Sequence, residues 1–410
     1  MVDELTDSLL VGRLPDQAML EGSLAELIRG AEDFQPILHS FKNAHHLRVG
    51  VRDILGKDRV ESTHRVLSDI AEACLKPIVA AERERLEEKY GVPTIEEPDA
   101  TASAEFSRWR PAAERVGEPC DLIILGMGKL GGREPNYHSD LDLVFLYEGE
   151  GHTATSRRHR NGSTTNSHFF NKLGQRITKV ANEFGPYGRL FEVDTRLRPT
   201  GRAGVLALPI EGFVRYFQEG GAQLWERLAL CKARVITGGA QARAPAADAV
   251  NEAAFAPAWR PEYAAEIRDM RMKLEESASL RNLKRAAGGT MDTEFIVQML
   301  QLKHGGEKPQ VRETGTIAGL KALRLAGCLS AEDTEALASA YRFQRSIEAR
   351  IRLMDSAGRH EVPHEDAELG KLAFLLGVAD SEKLRNEVLD AFCEVRGIFD
   401  RVFAEAAEGR

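Results

Sequence analysis

Residues 122–147, LIILGMGKLGGREPNYHSDLDLVFLY, constrain the fold more than any other stretch of the chain. Leu122-Ile123-Ile124-Leu125 is an apolar run of strand length that reads as buried. A glycine-rich turn, Gly126 to Gly132, follows it. Ser139 then leads into Asp140-Leu141-Asp142-Leu143-Val144-Phe145-Leu146, a second strand. Side chains alternate along a strand, so Asp140 and Asp142 share one face, and Leu141 and Leu143 share the other. Two neighbouring carboxylates repel and lose hydration, and a divalent cation relieves both costs.

Phe191-Glu192-Val193-Asp194-Thr195-Arg196-Leu197-Arg198 alternates in the same way. As a strand it sets Glu192, Asp194, Arg196 and Arg198 on one face. Laid beside the first strand, Asp194 completes a group of three carboxylates with arginines next to it. Carboxylates suit Mg²⁺, arginines suit phosphate oxygens, and glycine amides suit a phosphate tail. Together they predict nucleotide phosphoryl or nucleotidyl chemistry. The glycine turn is not a Walker A loop, because Lys129 precedes Leu130 where Ser or Thr is needed. The dinucleotide fingerprint fits no better.

A glycine-rich turn, a spacer and Asp-x-Asp on the next strand resemble the nucleotidyltransferase superfamily that includes DNA polymerase beta. Many members carry Gly-Ser at the turn, where this chain has Gly126-Met127. GMGKLGGRE, SDLDLVF, FEVDTRLRP, WERLALCKAR and GGTMDTEF more closely resemble the bifunctional glutamine synthetase adenylyltransferase/adenylyl-removing enzyme family. Pro135 departs from its pattern, standing where Leu is usual, and is expected to alter the turn before Ser139. The resemblance implies an α+β fold: a polymerase-beta-like domain with a mixed sheet, flanked by N- and C-terminal helical domains. The expected divisions are 1–118, 119–245 and 246–410. It also implies that the chain is one unit of a longer, two-unit enzyme. By the same resemblance Asp140 and Asp142 hold two Mg²⁺, with Asp194 on the ion nearest the attacking oxygen. Gly126, Gly128 and Lys129 receive the phosphates of ATP, with Ser139, Arg196, Arg198 and Lys232 also in the nucleotide site and Arg234 facing the phosphates. The implied reaction moves AMP from ATP to a tyrosine of glutamine synthetase. The alternative is phosphorolysis of that AMP-tyrosine to ADP. Glu192 favours the former, since the removing unit usually carries Arg there. A PII-type signalling protein is a further implied partner.

Composition excludes other classes. A net charge of −8 gives no general attraction to nucleic acid. Five scattered cysteines without a CxxC pair suggest reduced thiols in a cytoplasmic protein, and no zinc site. Neither a signal peptide nor a membrane-length apolar run is legible.

Elsewhere the pattern predicts helices over most of 1–118, with Ser23 and Glu26 as a capping box and a long amphipathic segment over 61–90 that Pro77 kinks or divides. Arg48, Arg52 and Asp53 read as surface charges. Residues 92–118 and 241–260 read as linkers. Residues 149–167 read as a polar loop whose Arg157, Arg158 and Arg160 are solvated. Residues 168–184 form a helix with Lys172, Gln175 and Arg176 on its pocket or solvent face. Residues 224–235 are expected to be helical, as are 291–304, 334–354 and 381–404. Asp292 and Glu294 either cap the first turn of the 291–304 helix or reach the cleft. Two rival readings remain. The chain is a binding module that has lost turnover, or the Asp residues are ordinary strand-end residues. Three clustered carboxylates argue against the first, and their coincidence with the glycine turn argues against the second.

Overall fold

The computed structural model describes residues 12–97, 104–155, 162–354 and 360–409. Arg157, Arg158 and Arg160 lie outside them. The chain is α+β, with a small mixed sheet between helical flanks. In order, the N-terminal helices are α1 (Gln17–Ile28), α2 (Gln35–Ile54) and α3 (Val60–Tyr90). Then come β1 (Val92–Pro93), β2 (Leu122–Gly126), α4 (Gly128–Gly131), β3 (Leu141–Tyr147), β4 (Thr153–Ala154) and α5 (Asn166–Asn182). The hairpin β5 (Phe184–Gly185) and β6 (Gly188–Arg189) leads to β7 (Val193–Asp194), β8 (Ala207–Pro209), α6 (Ile210–Gln218), α7 (Leu224–Leu230) and β9 (Arg234–Thr237). The remainder is helical: α8 (Ala240–Phe255), α9 (Glu262–Glu276), α10 (Thr290–His304), α11 (Thr316–Leu325), α12 (Ala331–Met354), α13 (Asp366–Leu376) and α14 (Ser381–Ala407).

The main sheet runs β7-β3-β2-β9. β2 pairs antiparallel with both β3 and β9. The other edge of β3 is shared: β7 pairs parallel with its start and β8 parallel with its end. Alternation explains why both faces are apolar. Leu122 and Ile124 of β2, with Leu141, Leu143, Phe145 and Tyr147 of β3, join the core built on α1–α3. Ile123 and Leu125, with Val144 and Leu146, join the core built on α6–α11. A sheet covered on both sides needs continuous apolar strands, as β2 and β3 have.

Several expectations are corrected by packing. The 191–198 segment is a strand for only two residues. The backbone N–H of Arg196 turns back to Asp194 Oδ1 at 2.8 Å, and Thr200 has φ +59°, so pairing stops there. The 224–235 helix ends at Leu230. Val235, Ile236 and Thr237 are β-branched, and they extend the free edge of β2 instead. The 241–260 linker holds α8, whose buried Ala242, Ala246, Ala249 and Ala253 pack as a stripe despite Pro245. The 92–118 linker includes β1 and two 3₁₀ turns. Pro77 does not divide α3. Asp16, not Ser23, caps α1, and Ser23 Oγ donates to the carbonyl of Leu20 within the helix. Arg52 and Asp53 are buried rather than exposed. Arg52 pairs with Asp58 at 2.7 Å, and Asp53 pairs with Arg350 at 2.7 Å and accepts from Tyr137 at 3.2 Å.

Candidate functional site

The site is assembled where the start of β3 meets β7. In the parallel pairing Leu141 lies opposite Val193 and Asp142 opposite Asp194. The rung is locked by Leu141 N–H donating to the Glu192 carbonyl at 2.7 Å. Asn182 at the end of α5 holds β7 from the other side, accepting the Val193 N–H at 3.1 Å. As a result Asp140, Asp142 and Asp194 each present an oxygen within 4.8 Å of the others. Asp140 is exposed, and the other two are half-buried.

The electrostatics are those of an acidic group compensated only in part by nearby cations. Burial pushes Asp142 up to about 7; the Asp140 and Asp194 carboxylates add to the push, and Lys284 and Arg196 oppose it. Arg196 holds Asp194 below the usual carboxylate range: its Nε donates to Oδ1 at 2.9 Å and to Oδ2 at 2.7 Å. Three hard oxygen donors of this kind match Mg²⁺ chemistry.

The glycine turn lies directly against these acids. Met127 N–H donates to the Asp142 carbonyl at 2.9 Å. Gly128 has φ +51°, and a Cβ there would stand 2.6 Å from Asp142 Oδ2. Glycine is therefore required by both backbone and space. Gly126 is the last residue of β2, wedged against Ile236 and Leu130.

The remaining expected residues divide. Arg196 joins the carboxylates. Arg198 does not; it is buried in the following turn, donating to the carbonyls of Thr195 at 2.7 Å and Gly204 at 3.4 Å. Lys129 donates to Glu294 and, at 3.1 Å, to Tyr341. Lys232 is buried and donates to Glu134 at 2.8 Å and Thr316 at 2.9 Å. Arg234 pairs with Glu72 at 2.6 Å. Lys129, Lys232 and Arg234 thus tie the glycine turn and β9 to the helices on either side. Glu294 sits in this network, and the two lysines hold its carboxyl down to about 2 against burial, which acts the other way. Asp292 is fully buried between Arg271 at 2.6 Å and Arg396 at 3.2 Å, a structural role. Arg176 pairs with Glu82, and Lys172 reaches only Gln175, so this face of α5 is not shown lining a nucleotide pocket.

Ser139 is part of a clamp that sequence reasoning missed. Its Oγ accepts from Asn136 N–H at 2.9 Å and from Arg352 at 3.1 Å, while Arg352 also donates to the Tyr137 carbonyl at 2.7 Å. Glu348 fixes Arg352 at 3.0 Å. Helix α12 therefore holds the loop that delivers Asp140. Lys284, the counter-charge to Asp142, was also missed. Its one sequence signal is its place just before the GGTMDTEF motif.

Comparison with known proteins identifies relatives over most of the chain. The chain matches the family described as glutamate-ammonia ligase adenylyltransferase over residues 1–104 and 99–249. Residues 263–403 match the family described as GlnD PII-uridylyltransferase. Among curated proteins it is similar to bifunctional glutamine synthetase adenylyltransferase/adenylyl-removing enzymes. That of Burkholderia pseudomallei is 32% identical over 375 residues, covering 88% of this chain and 38% of the relative. That of Shewanella frigidimarina is 31% identical over 407 residues, covering 97% and 40%. The chain thus spans about two fifths of the length of these relatives.

Proposed function

The chain belongs to the glutamate-ammonia ligase adenylyltransferase family, and from that premise we propose that it transfers AMP from ATP to a tyrosine hydroxyl of glutamine synthetase. The observation that carries this reading is the rung that sets Asp142 opposite Asp194, with Asp140 beside them. We read the sheet as a polymerase-beta-like nucleotidyltransferase unit over 119–245, between helical units 1–118 and 246–410, in a cytoplasmic enzyme. A PII-type signalling protein fits as a regulator, since the C-terminal helices resemble a PII-uridylyltransferase.

Asp140, Asp142 and Asp194 are the residues that would hold Mg²⁺, two ions in this reading. When bound, the metal would neutralise charge on the phosphates and help to acidify the attacking hydroxyl. The protein's own groups do the rest. Asp194 is placed to take the proton of the tyrosine hydroxyl, whose ordinary pKa of about 10 leaves it neutral at pH 7. Arg196, 61% exposed at its side chain, is free to swing from Asp194 to a phosphate oxygen. Gly128, lacking a side chain, leaves room for the Asp142 carboxylate to stand beside the turn.

Direction is argued from charge. Glu192, two residues before Asp194 on the same chain segment, is an acid where an arginine would suit an incoming phosphate; it pairs with Arg189 at 2.9 Å and is mostly exposed. An incoming phosphate anion is repelled there, whereas a neutral hydroxyl is not. The test is incubation of the chain with unmodified glutamine synthetase and labelled ATP, and separately with AMP-modified enzyme and phosphate. Label incorporation is expected. Phosphate-dependent release of ADP without incorporation overturns the direction, and neither reaction overturns the enzyme.

A further inference from the structure

A second cavity of about 510 Å³ opens where the start of α3, the glycine turn and the C-terminal helices meet. Arg59, Arg65, Arg133, Lys321, Arg342 and Arg345 all line it, against only Glu61, Glu134 and Glu313. Two of these acids are already matched, and so are three of the cations, Arg342 by Glu61, Arg133 by Asp69 at 3.5 Å and Arg345 by Glu348. Glu61 pairs with Arg342 at 2.6 Å, and Glu134 pairs with Lys232 at 2.8 Å. Arg65 and Lys321, both exposed, make no ion pair among the described residues.

The backbone adds to this positive field. Arg59 and Val60 at the N-terminus of α3, and Gly315, Ile317 and Ala318 at that of α11, line the same cavity. Neither N-cap residue supplies a capping side chain, and α11 has no acid in its first turn. Glu134 takes the Thr316 amide. The amides that follow have no partner inside their helix.

A buried polar group points to a ligand independently. His64 lines the cavity and is 3% exposed, and its Nε2 has no hydrogen-bond partner among the described residues. A buried nitrogen left without a partner is costly, so it marks a place where a partner is wanted. The surrounding cations, Arg345 foremost after burial itself, keep the imidazole neutral. As the Nε2–H tautomer it is a donor.

The geometry points to a binding site for a small phosphate-bearing molecule, separate from the carboxylate site, formed by His64, Arg65, Lys321, Arg345 and the amides at the start of α11. A phosphate dianion matches guanidinium forks and helix amides together, and several cations around one cavity suit a double charge better than a single one. The volume admits a mononucleotide. A ligand here touches the N-terminal helices, the glycine turn and the C-terminal helices at once.

The test is calorimetric titration of the full chain with inorganic phosphate, with AMP and with acetate, at fixed ionic strength in EDTA. The same titrations are run on the double variant Arg65→Glu/Lys321→Glu. Both positions are exposed, so the fold is kept. Phosphate or AMP should bind the wild type at least 10-fold more tightly than acetate, and at least 10-fold more tightly than they bind the variant. Tighter binding of phosphate assigns the free anion, and tighter binding of AMP assigns a nucleoside monophosphate. Absence of saturable phosphate or AMP binding, or equal binding by the variant, overturns the site. Because the measurement uses neither metal nor glutamine synthetase, a failure of AMP transfer leaves it standing.

Discussion

Asp142 combines partial burial, a pKa raised to about 7 and two carboxylate neighbours. Replacing both Asp140 and Asp142 by Asn removes the metal-holding oxygens, so AMP transfer should fall at least 1,000-fold. The same change removes mutual repulsion, so the thermal midpoint should hold or rise. Loss of activity together with loss of cooperative unfolding would mean that the acids serve the fold. Arg196→Ala gives a different signature. It frees Asp194, so Mg²⁺ should bind several-fold more tightly in a divalent titration while turnover falls, because the phosphate contact is gone. Tighter metal binding with full turnover would remove Arg196 from the reaction. At this scale the sequence was informative where chemistry is local. Asp140 and Asp142 sit two apart on an apolar strand, and their shared face follows from the pleat alone. Lys232 and Arg198 sit in buried networks, and a buried ion pair and an exposed phosphate ligand have the same letters. Only the long-range partners, Glu134 for Lys232 and the turn carbonyls for Arg198, separate the cases.

Among the elements, the glycine turn and α12 set the precision of the site. Gly128→Ala places a methyl group against Asp142 Oδ2 in a left-handed backbone conformation. It should cost about 1–2 kcal/mol in urea unfolding, and much more in activity. Lys232→Met strands Glu134 in a buried pocket shared with Thr316 and Tyr341. Breaking one side of a buried pair typically costs about 3–5 kcal/mol, so unfolding should occur at markedly lower urea. An unchanged midpoint with a raised KM for ATP would instead restore Lys232 to the nucleotide. The strands β2 and β3 and the long helices were legible because their patterns are long and periodic. β8 and β9 were not, since each is four residues or fewer and exists only through an edge offered by β2 or β3, and β7 keeps only two residues of the strand expected over 191–198. Helix α8 was hidden by Pro245 and by an alanine content that reads as linker until a core is there to receive it.

For the whole molecule, acid is the weak side. Burial, with Lys42 the next cause, lowers His46 to about 3, and burial also depresses His64 strongly. In the unfolded chain both titrate near 6.5. A depressed native pKa means that the unfolded state binds more protons below pH 6.5, so the stabilising term is complete above that pH and is lost as pH falls. Each histidine should therefore contribute a loss of up to about 2 kcal/mol at pH 5 relative to pH 7, opposed over the same range by Asp142, whose raised pKa makes the native state the stronger proton binder. In thermal melts His46→Gln should gain stability relative to the wild type as pH falls from 7 to 5, and an equal pH dependence in the two proteins would exclude the mechanism.

The two-residue pairing of β7 with β3 makes the site sensitive to chain length in a way that no composition change could mimic. Side chains alternate at every step, so adding or deleting one residue between the β5–β6 hairpin and Val193 turns the acid to the wrong side and offers valine to the cleft. A two-residue insertion restores the parity and asks only that the loop bulge. Indels in this segment should therefore be read by their evenness, with odd ones both destabilising, since Val193 leaves the core for a carboxylate, and fatal to transfer.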